Sequence, residues 1–121
     1  ALGPEAAGLM SSNDTLAREL LEAGERSCER LWLMPIYKGH RQRLRSDIGD
    51  LKNWNGRPGG ACMAAAFLQE FVDPKIPWAH LDIAATAFLQ EWDGYRPKYG
   101  TGTGVRLLVE YLLRRERESF L

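Results

Sequence analysis

The sequence predicts an α/β fold, part of a mixed central sheet covered by helices on both faces. Three observations support this. Helical and strand-like stretches alternate with short connections between them. The run Trp78-Ala-His-Leu-Asp-Ile-Ala-Ala-Thr-Ala-Phe88 is apolar on both parities, which suits a strand covered on both sides. No strand-like segment carries the charges that usually protect a sheet edge. The sheet therefore reads as a piece of a larger one, as does the apolar start Ala1-Leu-Gly-Pro4, which looks cut from something upstream.

Length and composition set the outer bounds. At 121 residues the chain is one domain at most, able to bury roughly two-thirds of its unfolded surface. Sixteen Lys and Arg balance sixteen Asp and Glu. Zero net charge argues against nucleic-acid or membrane-surface binding. No apolar run reaches the roughly 18 residues of a membrane span. The two cysteines, Cys28 and Cys62, belong to no CxxC pair or disulfide framework, which favours a reducing compartment.

Along the chain, Ala6 to Met10 reads as a short strand. Ser11-Ser12-Asn13 with Asp14 is a helix N-cap cluster. A helix follows to about Cys28, with Leu16, Leu20 and Ala23 on its apolar stripe and Gly24 weakening its end. Leu31 to Met34 is extended and stopped by Pro35. Tyr37 to Arg45 is a short basic helix with Lys38, Arg41, Arg43 and Arg45 on a solvated face. Asp47 to Asn53 reads as a strand. The turn cluster Asn55 to Gly60 leads into an alanine-rich helix over Ala61 to Val72, whose glycine-flanked start serves close packing rather than a phosphate loop. Trp78 to Phe88 is the long central strand. A glycine-rich loop follows, with Trp92, Tyr95 and Tyr99 available as anchors. The last helix runs from Val105 to about Arg117, with Val105, Leu108 and Leu112 on one stripe.

The residues alone contain no complete active site. His80 and Asp82 share one side of the long strand, and the only other histidine is His40. There is no HExxH pattern, no Cys/His set and no GxSxG. Two polar residues inside a strand are expected to be supports held by hydrogen bonds.

Eight segments, taken together and in order, resemble the leucyl aminopeptidase (cytosol aminopeptidase) family. They are Ser12-Asn-Asp14, Gly24-Glu-Arg26, Glu29-Arg-Leu-Trp-Leu-Met-Pro35, Ser46-Asp-Ile-Gly-Asp-Leu-Lys-Asn53, Gly56-Arg-Pro-Gly-Gly-Ala-Cys62, Ala64-Ala-Ala-Phe-Leu68 with Phe71, Trp78-Ala-His-Leu-Asp-Ile-Ala84, and Gly100-Thr-Gly102 with Gly104-Val-Arg-Leu-Leu108. The resemblance implies that residues 1–121 are the C-terminal portion of the catalytic domain of a cytoplasmic or organellar two-metal exopeptidase. Two zinc or manganese ions would activate water for the release of N-terminal residues from peptides, in a homo-hexamer. The family's metal ligands, including those of an Asn-Thr-Asp-Ala-Glu-Gly-Arg motif, are absent here. The resemblance therefore implies no catalytic residue and no metal ligand in this chain, and no turnover by the chain alone. It implies substrate contacts at Ala84 and Ala87, which would line a wide pocket for the first side chain. Ala85 stands where the family usually has Gly, and Trp54-Asn55 replaces smaller residues. The rival expectation is a non-catalytic structural subunit of the same descent.

Overall fold

The computed structural model describes residues 2–119; Ala1, which opens the apolar start, lies outside them. After a short 3-10 turn at Gly3–Glu5 the order is β1 (Ala7–Ser11), α1 (Asp14–Ser27), β2 (Leu31–Leu33), α2 (Lys38–Arg43), α3 (Gly60–Gln69), β3 (Ala79–Asp82), β4 (Phe88–Leu89), β5 (Tyr99–Gly100) and α4 (Val105–Ser119). The main sheet has the order β2-β1-β3. β2 is parallel to β1 and β3 is antiparallel to it, so the sheet is mixed.

The central strand is β1, not the Trp78–Phe88 run. Ala7, Gly8, Leu9 and Met10 are all buried, as a strand covered on both faces requires. Ala7 and Leu9 face α1 and α4, sharing a core with Leu20, Ala23, Leu31 and Leu107. Gly8 and Met10 occupy the opposite face, against which α3 packs. A Cβ on Gly8 would lie 3.0 Å from Met34 Sδ, so the bare position admits that side chain. A second core, formed by Leu44, Met63 and Ala66, gathers Ile36, Leu51 and Phe67 between α2 and α3. The expected helices on both faces are present.

The Trp78–Phe88 run is broken into two strands. β3 ends at Asp82 because the Asp82 carboxylate accepts a hydrogen bond from Ala84 N at 3.3 Å, an aspartate turn that competes with further extension. The expected strand over Asp47–Asn53 also does not form. Ser46 Oγ accepts from Ile48 N and Gly49 N, folding that segment on itself and leaving Ile48 fully exposed.

α1 begins as expected, with Asn13 Oδ1 accepting from Leu16 N at 2.8 Å. It passes through Gly24 and ends at Cys28, a left-handed cap with φ 57°. α4 crosses α1 with Leu107 inward and Tyr111 beside it. The expected stripe of Val105, Leu108 and Leu112 faces outward instead. Two ion pairs join the helices along this contact: Arg114 to Glu22 at 2.7 Å and Arg115 to Glu19 at 3.2 Å. The Arg114 guanidinium, through its hydrogen bond and its charge, holds the Glu22 carboxyl below the usual carboxylate range. Both cysteines are free. Cys62 is buried, and burial pushes its thiol up; Cys28 is exposed. Among the described residues no helix is long and apolar enough to cross a membrane.

Candidate functional site

The segment leaving β3 is a single helical turn. Ile83 O accepts from Thr86 N at 3.0 Å and from Ala87 N at 2.8 Å, and again from Thr86 Oγ1 at 3.2 Å. This geometry changes the relation between Ala84 and Ala87. On a strand, residues three apart face opposite sides. On a helical turn they face the same side. Ala84 is exposed and lines a small cleft of about 70 Å³ with Gly8, Met34, Asp82 and Ala85. Ala87 is half-buried and closes the turn, its carbonyl accepting from Thr101 N at 3.0 Å.

Below this turn lies a polar knot. Thr86 is buried at 5 % exposure. Its carbonyl lies 2.7 Å from Thr101 Oγ1 and 2.8 Å from Thr103 Oγ1, and the two hydroxyls are 2.8 Å apart. The loop bearing these threonines is itself fixed at the start of α4. Glu29 Oε2 accepts from Gly104 N at 3.1 Å and from Leu107 N at 2.9 Å, while Glu29 Oε1 lies 3.7 Å from Arg106. A carboxylate at a helix N-terminus satisfies donors that have no partner within the helix and suits the helix dipole.

The glycine-rich loop is held mainly by polar groups. Trp92, Tyr95 and Tyr99 are largely exposed and bury little as anchors. Asp93 Oδ1 accepts from Arg96 N at 2.7 Å and from Tyr95 N at 3.1 Å, and its Oδ2 meets Arg96 Nε at 2.7 Å. The Arg96 backbone N–H, then its side chain and the Tyr95 N–H, lower the Asp93 carboxyl to about 2. Arg106 lies over the Tyr95 ring and donates to its hydroxyl. Between this loop, the end of α1 and Glu5 runs a cleft of about 290 Å³.

His80 and Asp82 lie on the α3 side of the sheet, opposite Met10 and Gly8, and both are half-buried. His80 stacks on Trp78 with centroids 6.3 Å apart, and Ser12 Oγ accepts from Trp78 N at 3.1 Å. Asp82 caps the turn at Ala84. Among the described residues no group of three or more His, Cys, Asp or Glu side chains could hold a metal ion. The donors among the described residues therefore do not fit a two-metal centre. The basic residues Lys38, Arg41, Arg43 and Arg45 are exposed, with Arg41 3.6 Å from Glu70.

Sequence reasoning singles out Ala84 and Ala87 but misses what holds them: Thr86, Thr101, Thr103 and Glu29. The one available signal is the spacing Thr101-Gly-Thr-Gly104, two hydroxyls set among glycines. Their common acceptor is 15 and 17 residues away in sequence and cannot be named without the fold.

The catalytic-domain model of the cytosol aminopeptidase family matches residues 1–109. A "Probable cytosol aminopeptidase" of Protochlamydia amoebophila is 60% identical over 111 residues, covering 92% of this chain. One from Syntrophotalea carbinolica is 51% identical over 112 residues, covering 93%. The chain spans about a fifth of each relative's length, 22% in both cases. Among solved structures, the bottromycin maturation enzyme BotP superposes with TM-score 0.91 at 41% identity, covering 97% of this chain and 26% of that one; BotP has also been solved in complex with Mn. A tomato leucine aminopeptidase mutant gives TM-score 0.83 at 43% identity, covering 93% of this chain and 21% of that one. The mixed sheet, the helices on both faces and these matches together establish that the chain belongs to the cytosol aminopeptidase family of hydrolases.

Proposed function

We propose that residues 1–121 form the C-terminal portion of the catalytic domain of an aminopeptidase that releases N-terminal residues, leucine-type, from peptides. Ala84 and Ala87 contribute one wall of the pocket for the first side chain. The observation that carries this reading is the helical turn at Ile83–Ala87, which puts Ala84 and Ala87 on one side, with Ala84 lining a small cleft. Methyl groups offer apolar contact without filling space, so the pocket they border stays wide and suits a branched aliphatic side chain.

The chemistry itself belongs to residues outside this stretch. Two divalent ions, zinc or manganese, would be held there and supply the hydrolytic water; the Mn complex of BotP supports this. The part of this chain is to orient: β1 and β3 carry the turn, and the threonine knot beneath fixes it. A homo-hexamer in the cytoplasm completes the reading. The exposed apolar side chains Trp32, Leu33, Phe71 and Leu112 support burial against further chain or neighbouring subunits.

The test compares two proteins on leucyl-anilide with zinc or manganese supplied. The longer protein containing this chain should turn over the substrate, and the 121-residue chain should not. Metal-dependent turnover by the short chain would place the ligands inside it and overturn the proposal. Inactivity of the longer protein with either ion would favour a non-catalytic structural subunit instead.

A further inference from the structure

The turn bearing Ala84 and Ala87 is closed locally by the Asp82 carboxylate and by Ile83 O, and Ile83 packs on the main core, but these contacts hold only its start. Its residues are small, and its one hydroxyl, on Thr86, is spent on Ile83 O. What fixes its far end comes from the other side, through the Thr86 carbonyl and the Ala87 carbonyl. Both are bound by the Thr101–Thr103 segment: Thr86 O by two hydroxyls, Ala87 O by Thr101 N. That segment is in turn tied to α1 through Glu29. The far end of the turn is therefore tied to the fold by the Thr101 N–H and by two side chains that do not line its cleft.

Counting protons shows how the knot works. Each hydroxyl carries one proton and two acceptor positions. Three oxygen–oxygen contacts of 2.7, 2.8 and 2.8 Å are thus served by two protons. Either both hydroxyls donate to Thr86 O, or one donates to its neighbour and the other to Thr86 O. In both arrangements the carbonyl keeps a donor, and it still keeps one when a single hydroxyl is lost. Removing both leaves a carbonyl of a buried residue without its side-chain donors, and the turn must move to find another.

We propose that Thr101 and Thr103 are positioning residues that set the pocket wall at Ala84 and Ala87 and thereby the side-chain preference of the enzyme. The proposal rests on the pocket reading above. It concerns discrimination rather than bond cleavage, because the knot touches no reacting group. A wall displaced by a fraction of an ångström changes how closely a leucyl side chain packs and matters less for an alanyl one, which barely reaches it.

The experiment uses the longer protein carrying Thr101→Val, Thr103→Val, both together, or Thr103→Ser. The readout is the ratio of kcat/KM for leucyl-anilide to that for alanyl-anilide. This ratio does not depend on how much of the protein is folded, so a general loss of stability leaves it unchanged. The double variant is expected to lower the ratio about threefold or more, by more than the product of the single effects. Thr103→Ser, which keeps the hydroxyl, should retain the parental ratio. An unchanged ratio in the double variant overturns the proposal, whatever happens to total activity. If the double valine variant does not fold, Thr101→Ala combined with Thr103→Ala, which also removes both hydroxyls but adds no methyl group in their place, decides, and a flat ratio there overturns the proposal equally. Absence of leucyl-anilide turnover by the parent protein would sink the pocket reading itself, which a flat ratio in an active parent would not.

Discussion

Replacing Gly24 by Ala sets local helix propensity directly against tertiary packing. Gly24 lies inside α1, four residues before its cap at Cys28. On propensity alone, alanine in a helix interior stabilises by about 1 kcal/mol relative to glycine. The fold reverses the sign. A Cβ at this position would stand 2.7 Å from the backbone oxygen of Glu29, 3.3 Å from Leu31 Cγ and 3.4 Å from Leu107 Cδ1. The nearest atom is backbone, in the segment that folds back to donate Glu29 N to Gly24 O at 2.9 Å, so it cannot rotate away. Overpacking of this kind costs about 1–3 kcal/mol. Subtracting the propensity gain leaves a net loss of about 1–2 kcal/mol in the upper part of that range. Urea denaturation followed by circular dichroism measures it: at a slope of about 2 kcal/mol/M, the midpoint should fall by roughly 0.5–1 M. A midpoint that rises would show that the Glu29 segment yields freely and that the close approach is not a packing constraint.

Three further outcomes follow from the same contacts. Leu9→Ala, at a fully buried position on the central strand, should cost about 2–5 kcal/mol in urea melts, and Leu81→Ala, half-buried on β3, distinctly less; equal losses would contradict the placement of β1 at the centre. Glu29→Ala removes the acceptor for Gly104 N and Leu107 N and should cost about 1–3 kcal/mol, whereas Glu29→Gln keeps an acceptor and should lose less; hydrogen exchange at those two amides would report the difference. The Asp93 carboxyl is lowered to about 2 by the Arg96 and Tyr95 donors, so its folded value lies below its ordinary value of 3.8. Its contribution to stability is accordingly complete above about 3.8 and is lost as pH falls through about 2. An Asp93 carboxyl resonance titrating near 3.8 in the folded protein would contradict the loop geometry.

Much of the local structure is legible in the residues themselves. Asn13 as a cap, the inward stripe of Leu20 and Ala23 on α1, and the helical character of residues 61–69 and 105–117 all rest on interactions within a few positions. Two misplacements share one cause. Trp78–Phe88 looks like a single strand by apolar content, yet the Asp82 carboxylate turns the chain after four residues. Asp47–Asn53 looks like a strand by alternation, yet Ser46 folds it back. In both, a short polar side chain bonds to backbone two or three residues on and outcompetes a ladder. The outward stripe of α4 has a longer-range origin, in the packing of Leu107 and Tyr111 against α1, which periodicity along α4 cannot register.

By itself, the sequence determined the family and the α/β class, because motif order and apolar patterning are written along the chain. Only the tertiary structure decided which strand is central, since that depends on what covers each face. It alone put Ala84 and Ala87 on the same side, because the two residues sit on a helical turn instead of a strand. And it alone joined that turn to Thr101, Thr103 and Glu29, since hydrogen bonds between distant segments exist only once the backbone has brought donor and acceptor within about 3 Å.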